Sequence, residues 1–335
     1  MPPSLMQRLL RSREIATAIL LVLVIVAAGI KEPRFLKADS VESILLWMPL
    51  FAVIGLGQMM VIVCRGIDIS VGSIVGVAAM VEGTLFRAHP TMSLALGTSI
   101  SIGVGFALGS LNGMLVAFAN VPPIIATLGT FSAYRGLVFI VCRGQQVDSN
   151  DIPDALTKWS SDGPIHFAGI TIPWILIIAL VVSGIAAWFL RMTRGGRDIF
   201  TFGSNPEAAR LRGVPVKRTV YLVYAITGAL CGLAGSLYLS KFGFVNPATA
   251  GQGLELIVIA AVVIGGTNIS GGSGSVLGVL LGCALLGAIN VALTFVGIDE
   301  AWQQLVYGIV ILLAILIDTW VRRSQDRSRE GSRVH

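Results

Sequence analysis

Four ionisable side chains stand within or at the edge of otherwise apolar stretches of the 335-residue sequence: Asp68, Glu82, Arg135 and Glu255. A charge at the centre of a bilayer costs about 2.5 to 3.5 kcal/mol on insertion scales, so each needs a physical reason. Carboxylates placed in series relay protons, but four scattered charges do not form such a chain. Simpler roles suffice. Glu82 and Arg135 fall within about two turns of the ends of their apolar runs, where a long side chain can snorkel to water. Glu255 opens a helical stretch and faces the positive end of its dipole. Asp68 precedes a span expected to begin at Ile69, and capping that span is favoured over contact with a ligand.

Covalent and hydrolytic chemistry finds no residues to carry it. The sequence has no HExxH pair, no nucleophile elbow and no Gly-x-x-x-x-Gly-Lys loop for a nucleotide. Cys64, Cys142, Cys231 and Cys283 lie singly in or beside apolar runs, and His89, His166 and His335 are equally scattered. Neither a metal site nor a disulfide framework is expected, and no cofactor is implied. Any ATP that drives this protein must be hydrolysed by another subunit.

The elements that would position these side chains follow from composition. Hydrophobic residues make up 55% of the chain and charged residues 13%, and the mean hydropathy is +0.83. A soluble domain of this length could not hide so much apolar surface, whereas a helix of about 20 apolar residues crosses a hydrocarbon core of about 30 Å. Ten spans are expected, near 15–30, 44–64, 68–86, 93–119, 122–141, 171–190, 219–241, 253–267, 276–296 and 303–321. The expected fold is thus an all-α polytopic transmembrane bundle forming one domain over 1–335. The run from Ile15, behind Arg8 and Arg11, is read as the first span rather than a leader.

Charge orients the bundle. Basic residues cluster in the tails at 1–14 and 322–335 and in the hydrophilic segment 191–218, and Lys and Arg stay on the cytoplasmic side. With ten spans, all three segments fall on that side. The loop 142–170, with Asp148, Asp151, Asp154 and Asp162, falls outside. The net charge of +6 is accounted for by this topology, so nucleic acid is not expected as a partner.

Two patterns concern packing and contact. Glycines recur every four residues at Gly105, Gly109 and Gly113, at Gly228 and Gly232, and at Gly274, Gly278 and Gly282, which lets helix backbones approach closely in lipid. Gly66, Asp68, Ile69, Ser70, Gly72 and Ser73 are repeated 200 positions on by Gly266, Asn268, Ile269, Ser270, Gly272 and Ser273. Such segments suggest broken or re-entrant helices. Within 191–218, Asn205 reads as an N-cap with Pro206 in the first helical position, then a short helix to about Arg212 and a glycine stop at Gly213. A short polar helix between spans is shaped to dock into a soluble partner.

These motifs carry a resemblance. Gly66 to Ser73, Ala126 to Thr130 with Tyr134-Arg135-Gly136, Gly203 to Gly213, Gly265-Gly266 with Gly271 to Gly274, and Trp302-Gln303-Gln304 resemble, in order, the ribose-type permeases of ABC importers. The similarity runs from the first span to Asp318. It implies a bacterial inner-membrane subunit with both termini cytoplasmic that imports a monosaccharide or autoinducer-2. The implied partners are an ATP-binding subunit, a periplasmic solute-binding protein and a second permease copy, identical or paralogous. It further implies that Gly203, Ser204, Asn205, Pro206, Glu207, Ala208, Ala209, Arg210, Leu211, Arg212 and Gly213 form the coupling element that docks on the ATPase. Asp68, Asn112, Asn246, Gln252, Glu255, Asn290, Trp302 and Gln303 are the candidates for the pathway, chiefly because amides and aromatic faces suit neutral sugars. The rival reading is an ion-coupled carrier of a small polar solute.

Overall fold

The computed structural model describes residues 13–167 and 169–297, together with residues 302, 305, 308, 309 and 312. Twelve α-helices carry this part of the chain, eight of them long and apolar enough to cross a membrane. In chain order, α1 spans Arg13–Lys31, α2 Ala38–Val63, α3 Val71–Ala88, α4 Leu94–Ala117 and α5 Pro123–Cys142. Then come α6 Asp154–Ser161, α7 Trp174–Met192, α8 Arg194–Ser204, α9 Pro206–Leu211, α10 Val216–Phe242, α11 Leu254–Ile264 and α12 Val276–Phe295. The expected span at 303–321 lies outside the described residues apart from single positions.

The core forms around α2. From Pro49 to Val63 every residue of this helix is buried, so it is apolar and enclosed on all sides. Helices α7, α10, α11 and α12 surround it, while α1 rests on α12 and α5 on α3. The tightest pair is α4 with α10. A Cβ at Gly105 would strike the Gly228 carbonyl and the Gly232 backbone, and one at Gly109 would strike the Tyr224 carbonyl. The glycine spacing therefore brings two backbones into contact, and Gly278 and Gly282 do the same for α12 against α11.

Three expectations need correction. The span expected at 253–267 is an 11-residue helix, about 16 Å long and about half of what a bilayer core requires. Before it, residues 243–253 run irregularly back along α3: Val245 pairs with Val147, which packs on Gly83, and Gly251 packs on Gly72. A glycine-containing break thus lies ahead of α11, in addition to the irregular 266–273 repeat between α11 and α12. The third span begins at Val71, not Ile69. Lastly, the segment 191–218 holds two helices, since α8 precedes the expected short one. Thr193 caps α8 by accepting from Gly196 N at 3.1 Å, and Gly196 lies too close to Leu190 for a side chain.

At the end of the bundle opposite α8 and α9, the acidic loop is folded. Helix α6 buries Leu156, Ser160 Oγ donates to the Ser240 carbonyl at 2.6 Å, and strands β1 Ile165–Phe167 and β2 Ile170–Ile172 make a small antiparallel hairpin.

Candidate functional site

The two groups of candidate residues occupy different places, the coupling segment at the basic end of the bundle and the pathway candidates spread along it. At the basic end, Asn205 Oδ1 accepts from the backbone N–H groups of Glu207 and Ala208, each at 3.0 Å, and Pro206 occupies the first turn of α9. Those two bonds satisfy donors that a helix start leaves open. Gly213, at φ +75°, ends the segment in the left-handed region that favours glycine. Ala209 is buried beneath α9, whereas Leu211 at its tip is 90% exposed. Glu207 and Arg210 form no ion pair with each other among the described residues, so both remain open to a partner. Gly203 and Ser204 belong instead to the end of α8. A Cβ at Gly203 would overlap the Val63 carbonyl, so this turn is seated against the end of α2.

The pathway candidates divide. Asn246, Gln252 and Glu255 all belong to the irregular segment and the first turn of α11. Asn246 Nδ2 donates to Gln146 Oε1 at 3.0 Å while its Oδ1 accepts from Ala248 N at 2.9 Å. Gln252 is exposed, and Glu255, 7% exposed, lies against Gly72. Arg135 holds this segment. Its guanidinium donates to the carbonyls of Ala250 at 2.5 Å, Ala248 at 2.8 Å and Pro247 at 3.3 Å. The residue sits 12 positions into α5, about 18 Å from that helix's start. Snorkelling is thus the wrong account of Arg135: the guanidinium supplies donors to backbone carbonyls that have left the helix.

Asp68 and Asn112 are fully buried in a separate network. Asp68 Oδ1 accepts from Ser70 N at 2.8 Å and from Ser70 Oγ at 2.7 Å, and Asn112 Nδ2 donates to Ser70 Oγ at 2.7 Å. Tyr134 Oη donates to Asn112 Oδ1 at 3.1 Å. Gln58, oriented to satisfy both groups, pairs its amide with the backbone N–H and C=O of Asp68 at 3.2 Å. Asp68 is thus not the helix cap expected of it: Ser70 stands at the N-cap of α3, without a side-chain cap bond, and Asp68 instead closes the turn before it, to which this network fixes α4 and α5. Glu82 likewise does not snorkel. It is buried and accepts from Ser236 Oγ at 2.5 Å. Asn290 is half-buried on α12, Trp302 is 61% exposed, and Gln303 lies outside the described residues.

A family profile described as the permease component of the branched-chain amino acid transport system matches residues 40–315. The chain belongs to this permease family. Among its relatives, the autoinducer 2 import system permease protein LsrC of Escherichia coli O9:H4 (strain HS) is 32% identical over 317 residues, covering 95% of this chain and 90% of the relative. The fructose import permease protein FrcC of Rhizobium meliloti is 33% identical over 307 residues, covering 91% and 85%. A probable ABC transporter permease protein, y4mJ of Sinorhizobium fredii (strain NBRC 101917 / NGR234), is 34% identical over 319 residues, covering 95% and 91%. No solved structure matches. Permeases of this family are not themselves enzymes.

The sequence reading overlooked Gln58, Ser70 and Tyr134 as network members and Arg135 as the brace of the broken segment. Gln58 left a signal, as a polar side chain within the apolar run 44–64. The others required the fold to bring distant turns together.

Proposed function

We propose that this permease is the inner-membrane subunit of an ATP-driven importer for a monosaccharide or autoinducer-2, and that α9 docks on a separate ATPase subunit. The observation that carries the proposal is a capped helix at the basic end whose tip presents a nearly bare leucine, Leu211, beside Glu207 and Arg210. A leucine held out on a rigid polar helix is costly in water and becomes favourable when a groove covers it. On this reading the basic end is cytoplasmic, as the distribution of Arg and Lys requires.

The solute path runs along the face formed by the broken segment and α5, where Thr249 and Gln252 on the one and Ser132 on the other are exposed. Irregular backbone at this depth is tolerated only against protein or a water-filled cavity, so a second permease copy closes the path. Amide and hydroxyl groups on that wall suit a neutral polyhydroxylated solute delivered by a periplasmic binding protein. An ion-coupled carrier would need its carboxylates in series, whereas Asp68 and Glu82 are each held in a separate hydrogen-bonded cluster.

The test is reconstitution in proteoliposomes with the ATPase and binding protein, using labelled ribose, rhamnose and autoinducer-2. Leu211→Asp leaves the permease folded but lowers ATPase capture and uptake by about tenfold, the loss expected for an interface anchor. Normal capture and uptake by this variant would remove α9 as the docking element, and uptake by the permease alone would remove the ATP-driven reading.

A further inference from the structure

Arg65 adopts a conformation that an L-residue other than glycine rarely takes. It sits at the end of α2 with φ +63°, in the left-handed region, where the corresponding turn after α11 has Gly266 at φ +96°. Closing a helix end does not require arginine there, since glycine does so without strain. What arginine adds is its fork. Arg65 Nε donates to the Gly203 carbonyl at 2.6 Å and Nη2 donates to the Ser204 carbonyl at 2.9 Å. These are the last two carbonyls of α8, which lack partners within their own helix.

The same point gathers two further strands of chain. Gly272 N donates to the Val63 carbonyl at 3.0 Å, Gly203 packs on that carbonyl, and the stem of Arg65 lies against Gly271. Thus the end of α2, the end of α8 and the turn before α12 meet within one hydrogen-bonded knot. Asn205, the cap of α9, follows Ser204 directly.

We propose that Arg65 is a positioning residue that clamps the base of the docking helix α9 to the transmembrane body, so that displacement of α9 is delivered to α2 and to the turn before α12. The proposal rests on the docking role assigned to α9. A bidentate guanidinium fixes direction as well as distance, and it ties to the spans the end of α8, on which α9 packs and from which it continues through Asn205. Coupling of this kind needs a rigid contiguous link, and the fork supplies one outside the covalent chain.

The experiment uses the reconstituted complex and reads ATP hydrolysed per solute imported. Arg65→Gly preserves the left-handed backbone and reproduces the residue at Gly266, so its expected melting temperature and ATPase capture match the parent. Basal ATP hydrolysis persists, while solute imported per ATP falls about tenfold, as expected for the loss of two charge-assisted hydrogen bonds in the loaded state. Arg65→Lys, which keeps the charge but holds one carbonyl at a time, falls between the two. Parental import per ATP in Arg65→Gly, or a fall in import that only tracks lost stability or lost capture, overturns the clamp. If Leu211→Asp retains ATPase capture, the docking reading fails; if it loses capture while Arg65→Gly stays coupled, the clamp alone fails.

Discussion

The turns after α2 and after α11 start alike and then diverge. Each closes its helix with the same pair of bonds: Arg65 N to Ile62 O at 2.8 Å and Gly66 N to Val61 O at 2.9 Å in the first, Gly266 N to Val263 O at 2.9 Å and Thr267 N to Val262 O at 3.1 Å in the second. An aspartate or asparagine then turns the chain by accepting from the N–H two residues on, Asp68 from Ser70 and Asn268 from Ser270 at 2.9 Å. There the likeness ends. Helix α3 starts at once at Val71, whereas the second turn continues through Gly271 and Gly272, both with positive φ, and α12 starts only at Val276. The first turn is sunk into the protein and braced by Asn112 and Gln58. The second is half-buried and lies across Ser204 at the root of α9. One local code thus serves two surroundings, and the surroundings decide which member tolerates change.

The largest expected difference comes from leucine at the last shared glycine. At Gly72 any Cβ meets the Glu255 carboxylate and the Gly251 carbonyl, so Gly72→Leu must separate α3 from the broken segment. The expected cost is about 3 kcal/mol or more, read as loss of the monodisperse peak in size exclusion. Gly272→Leu is milder: the left-handed backbone at φ +80° costs about 1 to 2 kcal/mol, and its Cβ would press on Ser204, whose Cα stands 2.8 Å away, less closely than the Cβ at Gly72 meets its neighbours. Equal behaviour of the two variants would show that the depth of burial does not separate the turns.

A middle-sized effect is expected from Asp68→Ala. It removes the acceptor for the buried Ser70 N–H and for Ser70 Oγ, and leaves the side of Asn112 that faces Asp68 Oδ2 without its acceptor. Unpaired buried donors cost about 1 to 3 kcal/mol each, so a loss of about 2 to 3 kcal/mol is expected in detergent melting curves. An unchanged melting curve would mean that the network does not brace the turn.

How much of this was legible depended on range. The spans from α1 to α5 and α7 followed from apolar runs because each run's length against the bilayer is a local property. The α9 helix was legible from Asn205, Pro206 and Gly213 because capping is decided within a few residues. The 200-residue repeat announced two matching turns but not their different burial, since Gln58, Asn112 and Tyr134 reach Asp68 from three separate helices. Helix α8 was hidden because Gly195 and Gly196 lower helix propensity, and only contact with Leu190 explains the second glycine. The broken span was hidden because 253–267 reads as one apolar run, and the carbonyls that Arg135 satisfies lie more than a hundred residues along the chain.

The smallest effect is expected where the second turn is given the residue of the first, in Asn268→Asp. The change keeps an oxygen in the position that accepts from Ser270 N, and aspartate forms this turn as readily as asparagine. What it adds is a full charge, whose cost depends on burial, and what it removes is the Nδ2 donor of the amide. At full burial, Asp68 has Ser70 donating to it twice and Asn112 nearby. Position 268 is half-buried and close to the basic end, so a carboxylate there retains water and meets a favourable field. The expected change is within about 0.5 kcal/mol, or about 2 °C in melting temperature, with import per ATP unaltered. A loss as large as that of Asp68→Ala would show that the second turn is as dry as the first, and that their difference lies in the length of the return to helix and not in exposure.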